Sequence, residues 1–382
     1  MQRDAFITGW GVCLPNPPVD NDHIEAVLGR LPRQSAAVKR RVLVNNGITR
    51  RHYAIDPATG ALTHTNAAMT AAAIRNLCDH ADFPLSDIET LVCGTSSVDQ
   101  MIPSHASMVH AELGCPPCEV AHISGVCCAG VSALKYGYLN VIAGAADNAM
   151  VTGSELASPS LRASHFAPQV ADGGRGEDDE LLPFTNEFLR WMLSDGAGAL
   201  LIAASPRSTG PSLRIDWVDL VSFGNESEVC MYFGLQKSEH GALESFRTVD
   251  DGNRLFREGF LSLAQDVRIL NDRLPVLMKA AVRRLIGKRG LVPDEVDWLL
   301  PHYSSQWFRK PLFDGLREIG FPIPLERWFT NLTTKGNTGS AAMYIMLEQL
   351  MSEGKARSGQ RVLCMVPESS RMLFGFVHLT VV

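Results

Sequence analysis

The sequence lacks features that would mark a membrane protein or a nucleic-acid-binding protein. It contains no uninterrupted run of about 18 apolar residues, so we expect no membrane-spanning helix. Positive charge is not in excess, because 35 Lys and Arg face 41 Asp and Glu and the formal net charge is −6. Broad nucleic-acid binding requires clustered positive charge, and we therefore do not expect it.

A regular cysteine framework is also missing. The nine cysteines are odd in number and irregularly spaced, and the first residues predict a strand, not a long apolar leader. We therefore expect a reducing compartment, the cytoplasm. Cys115 and Cys118 have the C-x-x-C spacing of zinc or redox sites, but one pair cannot close a tetrahedral shell, so we expect no metal.

The chain of 382 residues, 46% of them hydrophobic, is long enough for a large core. Two short apolar runs, 88–94 and 296–302, each follow an acidic turn and precede a loop and a helix. This repetition predicts a duplicated α/β fold, with an N-terminal half at 1–207 and a C-terminal half at 208–382. The Gly- and acid-rich segment 158–187 reads as an insertion, either a solvated loop or a lid.

The segment His122–Gly130 runs directly into a predicted helix and places two thiols, Cys127 and Cys128, at the helix start. A helix N-terminus favours a thiolate, so the pKa of such a thiol is expected below its ordinary value of about 8.5. The sequence therefore predicts a nucleophile here. The alternative is a buried cysteine in a segment of small residues.

Two further polar residues lie at element ends. His302 follows an apolar strand, and Asn337 lies in a Gly-rich turn before another predicted helix. Because strand ends and helix starts gather at one edge of such sheets, we expect the thiol, His302 and Asn337 to share a cleft. The alternatives are a structural histidine and a helix-capping asparagine.

Five segments in a fixed order carry a family resemblance. They are Gly47–Arg51, Thr95–Ser97 with Pro103–Ser104, Ser194–Ala199, Pro301–His302 and Gly336–Thr338. The chain resembles the ketoacyl-ACP synthase III-like condensing enzymes of the thiolase superfamily. The resemblance implies a duplicated thiolase-like fold in αβαβα layers, a homodimer, no bound cofactor, and thioesters of coenzyme A or acyl carrier protein (phosphopantetheine) as substrates.

The same resemblance implies roles for individual residues. The family's C-x-[SA]-G spacing and helix register point to Cys127 as the nucleophile, whereas the letters C-A-G alone would fit Cys128. His302 and Asn337 complete the implied triad. The implied reaction condenses a Cys-bound acyl group with a malonyl or β-ketoacyl thioester, in fatty-acid-like or polyketide biosynthesis. The implied oxyanion hole uses backbone N–H groups of Cys127 and of Ser369 or Ser370, although 368–375 departs from the family's Gly-rich loop.

Residues farther from the triad match the family less specifically. Ile102 resembles the position where the partner subunit lines the acyl pocket, and ordinary interface packing is its alternative. Arg257, Arg309 and Lys310 lie on segments resembling those that meet acyl carrier protein, or they form a solvated charged surface. Phe233, Trp307 and Phe308 are candidates for a tunnel wall or for core packing.

Three other functions compete with condensation. An acyltransferase of the same fold would move the acyl group to an oxygen, nitrogen or carbon nucleophile without loss of carbon dioxide. A non-catalytic partner subunit is disfavoured because all three triad residues are present. A papain-like protease has the same Cys, His, Asn order but requires a motif around the cysteine that this sequence lacks.

Overall fold

The computed structural model describes residues 3–31, 36–171, 188–238 and 240–382. Its strands are β1 (Phe6–Cys13), β2 (Val19–Asp20), β3 (Arg50–Arg51), β4 (Thr90–Thr95), β5 (Glu119–Ser124), β6 (Asn148–Glu155), β7 (Gly196–Ala203), β8 (Leu213–Ser222), β9 (Met231–Tyr232), β10 (Leu235–Lys237), β11 (Leu243–Ser245), β12 (Ala264–Gln265), β13 (Trp298–Pro301), β14 (Arg361–Glu368) and β15 (Leu373–Val381). Its α-helices are α1 (Ile24–Leu28), α2 (Ala36–Asn46), α3 (Asn66–Ala81), α4 (His105–Leu113), α5 (Cys127–Ala143), α6 (Ala163–Ala171), α7 (Gly252–Arg257), α8 (Val267–Arg289), α9 (Arg309–Glu318), α10 (Leu332–Lys335) and α11 (Ala342–Ser352).

The strand order shows the predicted duplication. Nine strands form one sheet in the order β13-β14-β15-β8-β1-β7-β6-β4-β5. In the first half β4 and β6 are parallel while β6, β7 and β1 are successively antiparallel, and β13, β14, β15 and β8 repeat these directions in the second half. The predicted α/β class and the thiolase-like arrangement are confirmed.

The two halves meet along β1 and β8, whose antiparallel pairing is limited to Phe6 with Arg214 and Ile7 with Leu213. The turn-rich segment near residue 207 lies between β7 and β8. Helix α5 packs against β4 and β6 of its own half and against β14 and β15 of the other half. It therefore lies between the two halves, and its first residues are placed where both can contribute to a site.

Close backbone contact holds the central helices together. A Cβ on Gly130 of α5 would lie 2.4 Å from the carbonyl oxygen of Ser340, a distance that real side chains do not tolerate. The Tyr344 hydroxyl of α11 donates to the Gly130 carbonyl at 2.8 Å. Glycine is therefore required where the helix starts of the two halves approach each other.

Two sequence predictions need correction here. Asn337 does not open an α-helix, because a 3-10 turn, Gly339–Ala341, separates it from α11. The described beginning of the 158–187 insertion is not a solvated loop, because Phe166 is buried and His165 Nε2 donates to the Leu261 carbonyl at 2.7 Å. Residues 172–187 of the predicted insertion lie outside the described residues.

Within the described part of the chain, none of the helices combines the length and the apolar character needed to cross a membrane.

Candidate active site

One cavity brings the predicted triad together. It has a volume of about 740 Å³, and its lining includes Cys127, His302 and Asn337. Apolar side chains contribute much of the remaining wall, among them Phe233, Leu270, Leu274, Met278, Phe308 and Leu312. Small-molecule sites are usually apolar cavities that contain a few polar side chains, and this cavity has that composition.

The two adjacent cysteines differ in environment. Cys127, the first residue of α5, is partly buried and lines the cavity. Cys128 is completely buried, and its Sγ donates to the Val366 carbonyl at 3.1 Å. The structure therefore offers Cys127 to a substrate and places Cys128 in the core.

The electrostatic environment of Cys127 contradicts the expectation of an acidic thiol. Burial, followed by the charges of Glu368 and Glu155, raises the pKa of the Cys127 thiol well above its ordinary value. One oxygen of the Glu368 carboxylate accepts the N–H groups of Val126 at 3.1 Å and Cys128 at 2.9 Å. An acid thus occupies the helix start that was expected to stabilise a thiolate.

His302 lies at the end of β13, as the sequence predicted. Its backbone N–H donates to the Met365 carbonyl at 2.8 Å, which fixes the residue against the neighbouring strand β14. Burial lowers the pKa of His302 to about 4, so its imidazole is neutral at pH 7. Its buried Nε2 has no hydrogen-bond partner among the described residues, and an unsatisfied buried nitrogen of this kind suits a ligand.

Asn337 is fixed by its backbone and its side chain. Its N–H donates to the Met192 carbonyl at 3.1 Å, and its carbonyl accepts the Ser194 N–H at 2.9 Å. Its Oδ1 accepts the Gly339 N–H at 3.0 Å. Since the side-chain oxygen is engaged within the turn, the amide NH₂ is the group that can serve as a donor to a ligand.

Glu155, which the sequence analysis did not single out, is a buried carboxylate in the cavity lining. It ends β6 and accepts the hydroxyls of Ser96 and Ser97, each at 2.7 Å, and the Ser340 N–H at 3.4 Å. Burial raises the pKa of Glu155 above its ordinary value, and these hydrogen bonds offset only part of that increase. A carboxylate as the last residue of a buried strand was the only sequence signal that could have indicated it.

Two further family motifs contribute side chains that hydrogen-bond to backbone groups. Asp195 of the D-G-A-G-A segment accepts the N–H groups of Ala54, Ala157 and Ser158 at 2.7 to 2.9 Å. Arg51 is buried and donates to the Trp191 carbonyl at 3.1 Å. These contacts join loops of the N-terminal half to one another.

The predicted oxyanion-hole segment borders the cavity, but its side chains are engaged elsewhere. Ser369 and Ser370 both contribute to the lining. Gln265 Nε2 donates to the Ser369 hydroxyl at 2.7 Å, and the Ser370 hydroxyl donates to Glu368 at 2.5 Å. Any contribution to an oxyanion hole would therefore come from backbone N–H groups.

Of the more distant predicted residues, the aliphatic and basic ones are not part of the cavity lining: Ile102, Arg257, Arg309 and Lys310. Ile102 is 87% exposed. Arg309 is exposed, Lys310 pairs with Asp314, and Arg257 pairs with Asp251 at 3.4 Å. Of the aromatic candidates, Phe233 and Phe308 line the cavity whereas Trp307 does not.

The C-x-x-C pair lies apart from this cavity and has a neighbour that the sequence did not indicate. Among the described residues, His110, Cys115 and Cys118 bring one potential ligand atom each within 4.8 Å of one another. They offer three of the four ligands of a structural zinc site. The shell remains one ligand short.

This fold and site define the class of duplicated, thiolase-like α/β proteins with a Cys, His and Asn around an apolar cavity. Comparisons with known proteins narrow the class. A model of the family described as "3-Oxoacyl-[acyl-carrier-protein (ACP)] synthase III C terminal" matches residues 286–366.

Full-length relatives extend the match beyond those residues. The chain is 25% identical over 368 residues to a beta-ketoacyl-[acyl-carrier-protein] synthase III of Dinoroseobacter shibae, covering 95% of each chain. It is 26% identical over 366 residues to that of Ruegeria sp., again covering 95% of each.

Solved structures give the same result for the fold. The tetronic acid condensing enzyme AbyA1 superposes with a TM-score of 0.78 at 21% identity, over 98% of this chain and 99% of that one. The 3-oxoacyl-(acyl carrier protein) synthase III of Pseudomonas aeruginosa gives 0.72 at 21% identity, over 99% and 98%. The predicted resemblance to the ketoacyl-ACP synthase III-like condensing enzymes is therefore confirmed over nearly the whole chain.

Proposed function

We propose that the protein is an acyltransferase that joins two acyl thioesters by decarboxylative Claisen-type condensation, with Cys127, His302 and Asn337 as catalytic residues. The observation that carries this proposal is the convergence of these three side chains on one apolar cavity of about 740 Å³. The burial of Cys128 supports Cys127 as the nucleophile. The family relationship supports the type of reaction.

In the first stage, Cys127 Sγ attacks the carbonyl carbon of an acyl thioester. A new S–C bond forms, the bond to the donor sulfur breaks, and the thiol proton ends on the departing thiol. The charge that develops on the carbonyl oxygen requires donors already in place, and backbone N–H groups of Cys127 and of Ser369 or Ser370 are the candidates. The apolar wall then receives the acyl chain.

In the second stage, a malonyl thioester loses carbon dioxide and leaves an enolate. The unpartnered imidazole of His302 and the NH₂ group of Asn337 would hydrogen-bond the enolate oxygen. The enolate carbon attacks the acyl carbon on Cys127, the C–S bond breaks, and Cys127 is regenerated. Thioesters of coenzyme A or of an acyl carrier protein's phosphopantetheine act as substrates, and neither stage needs a resident cofactor.

The test is the intact mass of the protein after incubation with a panel of acyl-CoA and acyl-carrier thioesters. The wild type and Cys128→Ala are expected to gain one acyl group, and Cys127→Ala none. Added malonyl thioester should then release carbon dioxide together with a β-ketoacyl product. An adduct without carbon dioxide would favour acyl transfer to another nucleophile, and no adduct at all would favour a non-catalytic subunit.

We also propose that the chain acts as a homodimer in the cytoplasm. Strand β5 is the edge of the nine-stranded sheet, and an unpaired edge is prone to pair with another strand. The exposed Met101 and Ile102 precede helix α4, which packs against β5. Light scattering after gel filtration should give twice the mass of 41.7 kDa, and Ile102→Asp should weaken the association.

We further propose that an acyl carrier protein docks at Arg257, Arg309 and Lys310. Carrier proteins are acidic, and a basic surface would increase their association rate, most strongly at low salt. Reversing the charge at Arg309 should therefore slow the use of acyl-carrier thioesters and leave the use of acyl-CoA unchanged.

A further inference from the structure

The start of helix α5 carries a buried carboxylate from the opposite half of the molecule. Glu368 ends β14, and one of its oxygens accepts the Val126 N–H at 3.1 Å and the Cys128 N–H at 2.9 Å. These two peptide groups flank Cys127. Glu368 therefore accepts hydrogen bonds from the peptide N–H groups on either side of the candidate nucleophile.

Glu368 acts as a hydrogen-bond acceptor through both of its oxygens. The Ser370 hydroxyl donates to its second oxygen at 2.5 Å, so three donors point at one carboxylate. An ionised carboxylate only accepts, and hydrogen bonds to it are strong. Its negative charge also offsets the positive end of the helix dipole, which would otherwise stabilise a Cys127 thiolate.

No cation in the described lining is hydrogen-bonded to this acid. The titratable and charged side chains around the same cavity are Asp99, Glu155, Tyr232, Lys279, His302, Tyr303 and Arg371, with Cys128 adjacent in sequence. Arg371 donates to the carbonyls of Gly224 and Ser227 at 2.9 and 3.3 Å. His302 is neutral, and Glu155 adds negative charge.

We propose that Glu368 is a positioning residue that keeps the resting Cys127 as an uncharged thiol, so that its proton must leave during acylation. The proton ends on the departing thiolate of the acyl donor, so no oxidant or further reactant is required. The proposal rests on Cys127 being the nucleophile of the proposed function. It adds that helix α5 alone does not activate this thiol.

The experiment measures alkylation of Cys127 by iodoacetamide between pH 6 and pH 10, with the site identified by peptide mass spectrometry. Glu368→Gln keeps an oxygen that can accept the α5 amides but removes the charge. In this variant the rise of the alkylation rate with pH should shift to lower pH by about one unit or more. Alkylation at pH 7 then becomes about tenfold faster. Glu368→Asp, which keeps the charge, and Glu326→Gln, an exposed acid outside the cavity, should resemble the wild type.

Two outcomes overturn the proposal. An unchanged profile for Glu368→Gln would mean that the carboxylate only holds backbone, and a slower reaction would mean that it helps to ionise the thiol. Circular dichroism separates either result from misfolding, in which case Glu368→Asp still reports whether the charge sets the profile. Alkylation needs no acyl substrate, so failure here leaves the proposed condensation to its own test.

Discussion

The helix starts at Cys127 and at Gly339 occupy equivalent positions in the two halves but carry different chemical groups. In the first half α5 begins at Cys127, and in the second half the 3-10 turn before α11 begins at Gly339. The next residue is buried in both copies. Cys128 donates its thiol to the Val366 carbonyl at 3.1 Å, and Ser340 donates its hydroxyl to the Ser154 carbonyl at 2.7 Å.

Each helix start is capped by an acid from the other half. Glu368, the last residue of β14, accepts the Cys128 N–H at 2.9 Å. Glu155, the last residue of β6, accepts the Ser340 N–H at 3.4 Å. β6 and β14 occupy equivalent positions in the two halves, so the exchange of acids is symmetric. The copies differ where Cys127 carries a thiol and Gly339 carries no side chain.

Both helix starts have an acid cap, whereas only the first carries a thiol. Beside Gly339, which has no side chain, the acid cap Glu155 accepts the backbone N–H of Ser340. The equivalent cap beside Cys127, Glu368, also sets the charge felt by a nucleophile. The following predictions, from the largest effect to the smallest, break or sharpen this comparison.

The largest effect separates the chemistry of the two halves. Asn337→Asp keeps the oxygen that accepts the Gly339 N–H but removes the NH₂ donor and introduces a negative charge. We expect the acyl adduct on Cys127 to form while condensation falls by at least about 10² to 10³, the usual loss for one such donor. Product formation and intact mass, measured on the same samples, check this. Loss of the adduct as well would show that Asn337 serves both stages.

The second prediction concerns stability at the copy without a side chain. Gly339 has a φ of 53°, and a Cβ there would lie 2.6 Å from Glu155 Cγ. Gly339→Ala should therefore destabilise the fold by about 1 to 3 kcal/mol, measurable as a lower Tm. Gly252→Ala is the matched control, because a Cβ there meets nothing within 4 Å. Equal Tm values for the two variants would contradict the close contact.

The third prediction compares the two acids. The charge of Glu155 raises the pKa of Cys127 less than burial and Glu368 do, and the helix-start N–H that Glu155 accepts belongs to Ser340 in the other half. Removing its charge in Glu155→Gln should therefore move Cys127 alkylation to lower pH, by less than Glu368→Gln does. The same iodoacetamide profile checks this. A larger shift for Glu155→Gln would reverse the assigned roles of the acids.

The smallest effect tests the equivalence of the buried donors. Because Ser340 occupies the position in the second half that Cys128 occupies in the first, Cys128→Ser should place a hydroxyl where a carbonyl acceptor already lies. We expect a change in unfolding free energy of about 1 kcal/mol or less, with the acyl adduct retained. Denaturant unfolding measures it, with Cys128→Ala for comparison. A loss of several kcal/mol would show that the two copies are packed differently.

The sequence was sufficient for the fold and for the order of the motifs. Short apolar runs ending in polar residues predicted the strand that leads to His302, and a run of small residues after Cys127 predicted α5. These signals are local, since each lies within one element. The resemblance to the condensing enzymes then linked elements that lie far apart in the chain.

The acids could not be predicted in the same way. Glu368 was noted only as a departure from a Gly-rich loop, and the amide that it caps at Cys128 is 240 residues away in the chain. Glu155 reads as an ordinary residue after a strand. Contacts between the halves leave no periodic pattern in the sequence. Neither the burial of Cys127 nor the acids beside it could therefore be anticipated, and the direction of the Cys127 pKa shift was predicted wrongly.

The antiparallel pairing of β14 with β15, in which Glu368 faces Leu373, has a consequence for quality control during folding. Side chains on a strand alternate between faces, so a slip of one residue turns every side chain to the opposite face. A slipped β14 would direct Glu368 away from α5, leaving the helix uncapped and the thiol exposed to the dipole. Correct alignment of one hairpin and restraint of one reactive sulfur are therefore coupled. A misaligned molecule should therefore be detectable because iodoacetamide alkylates its Cys127 faster than in the correctly folded protein.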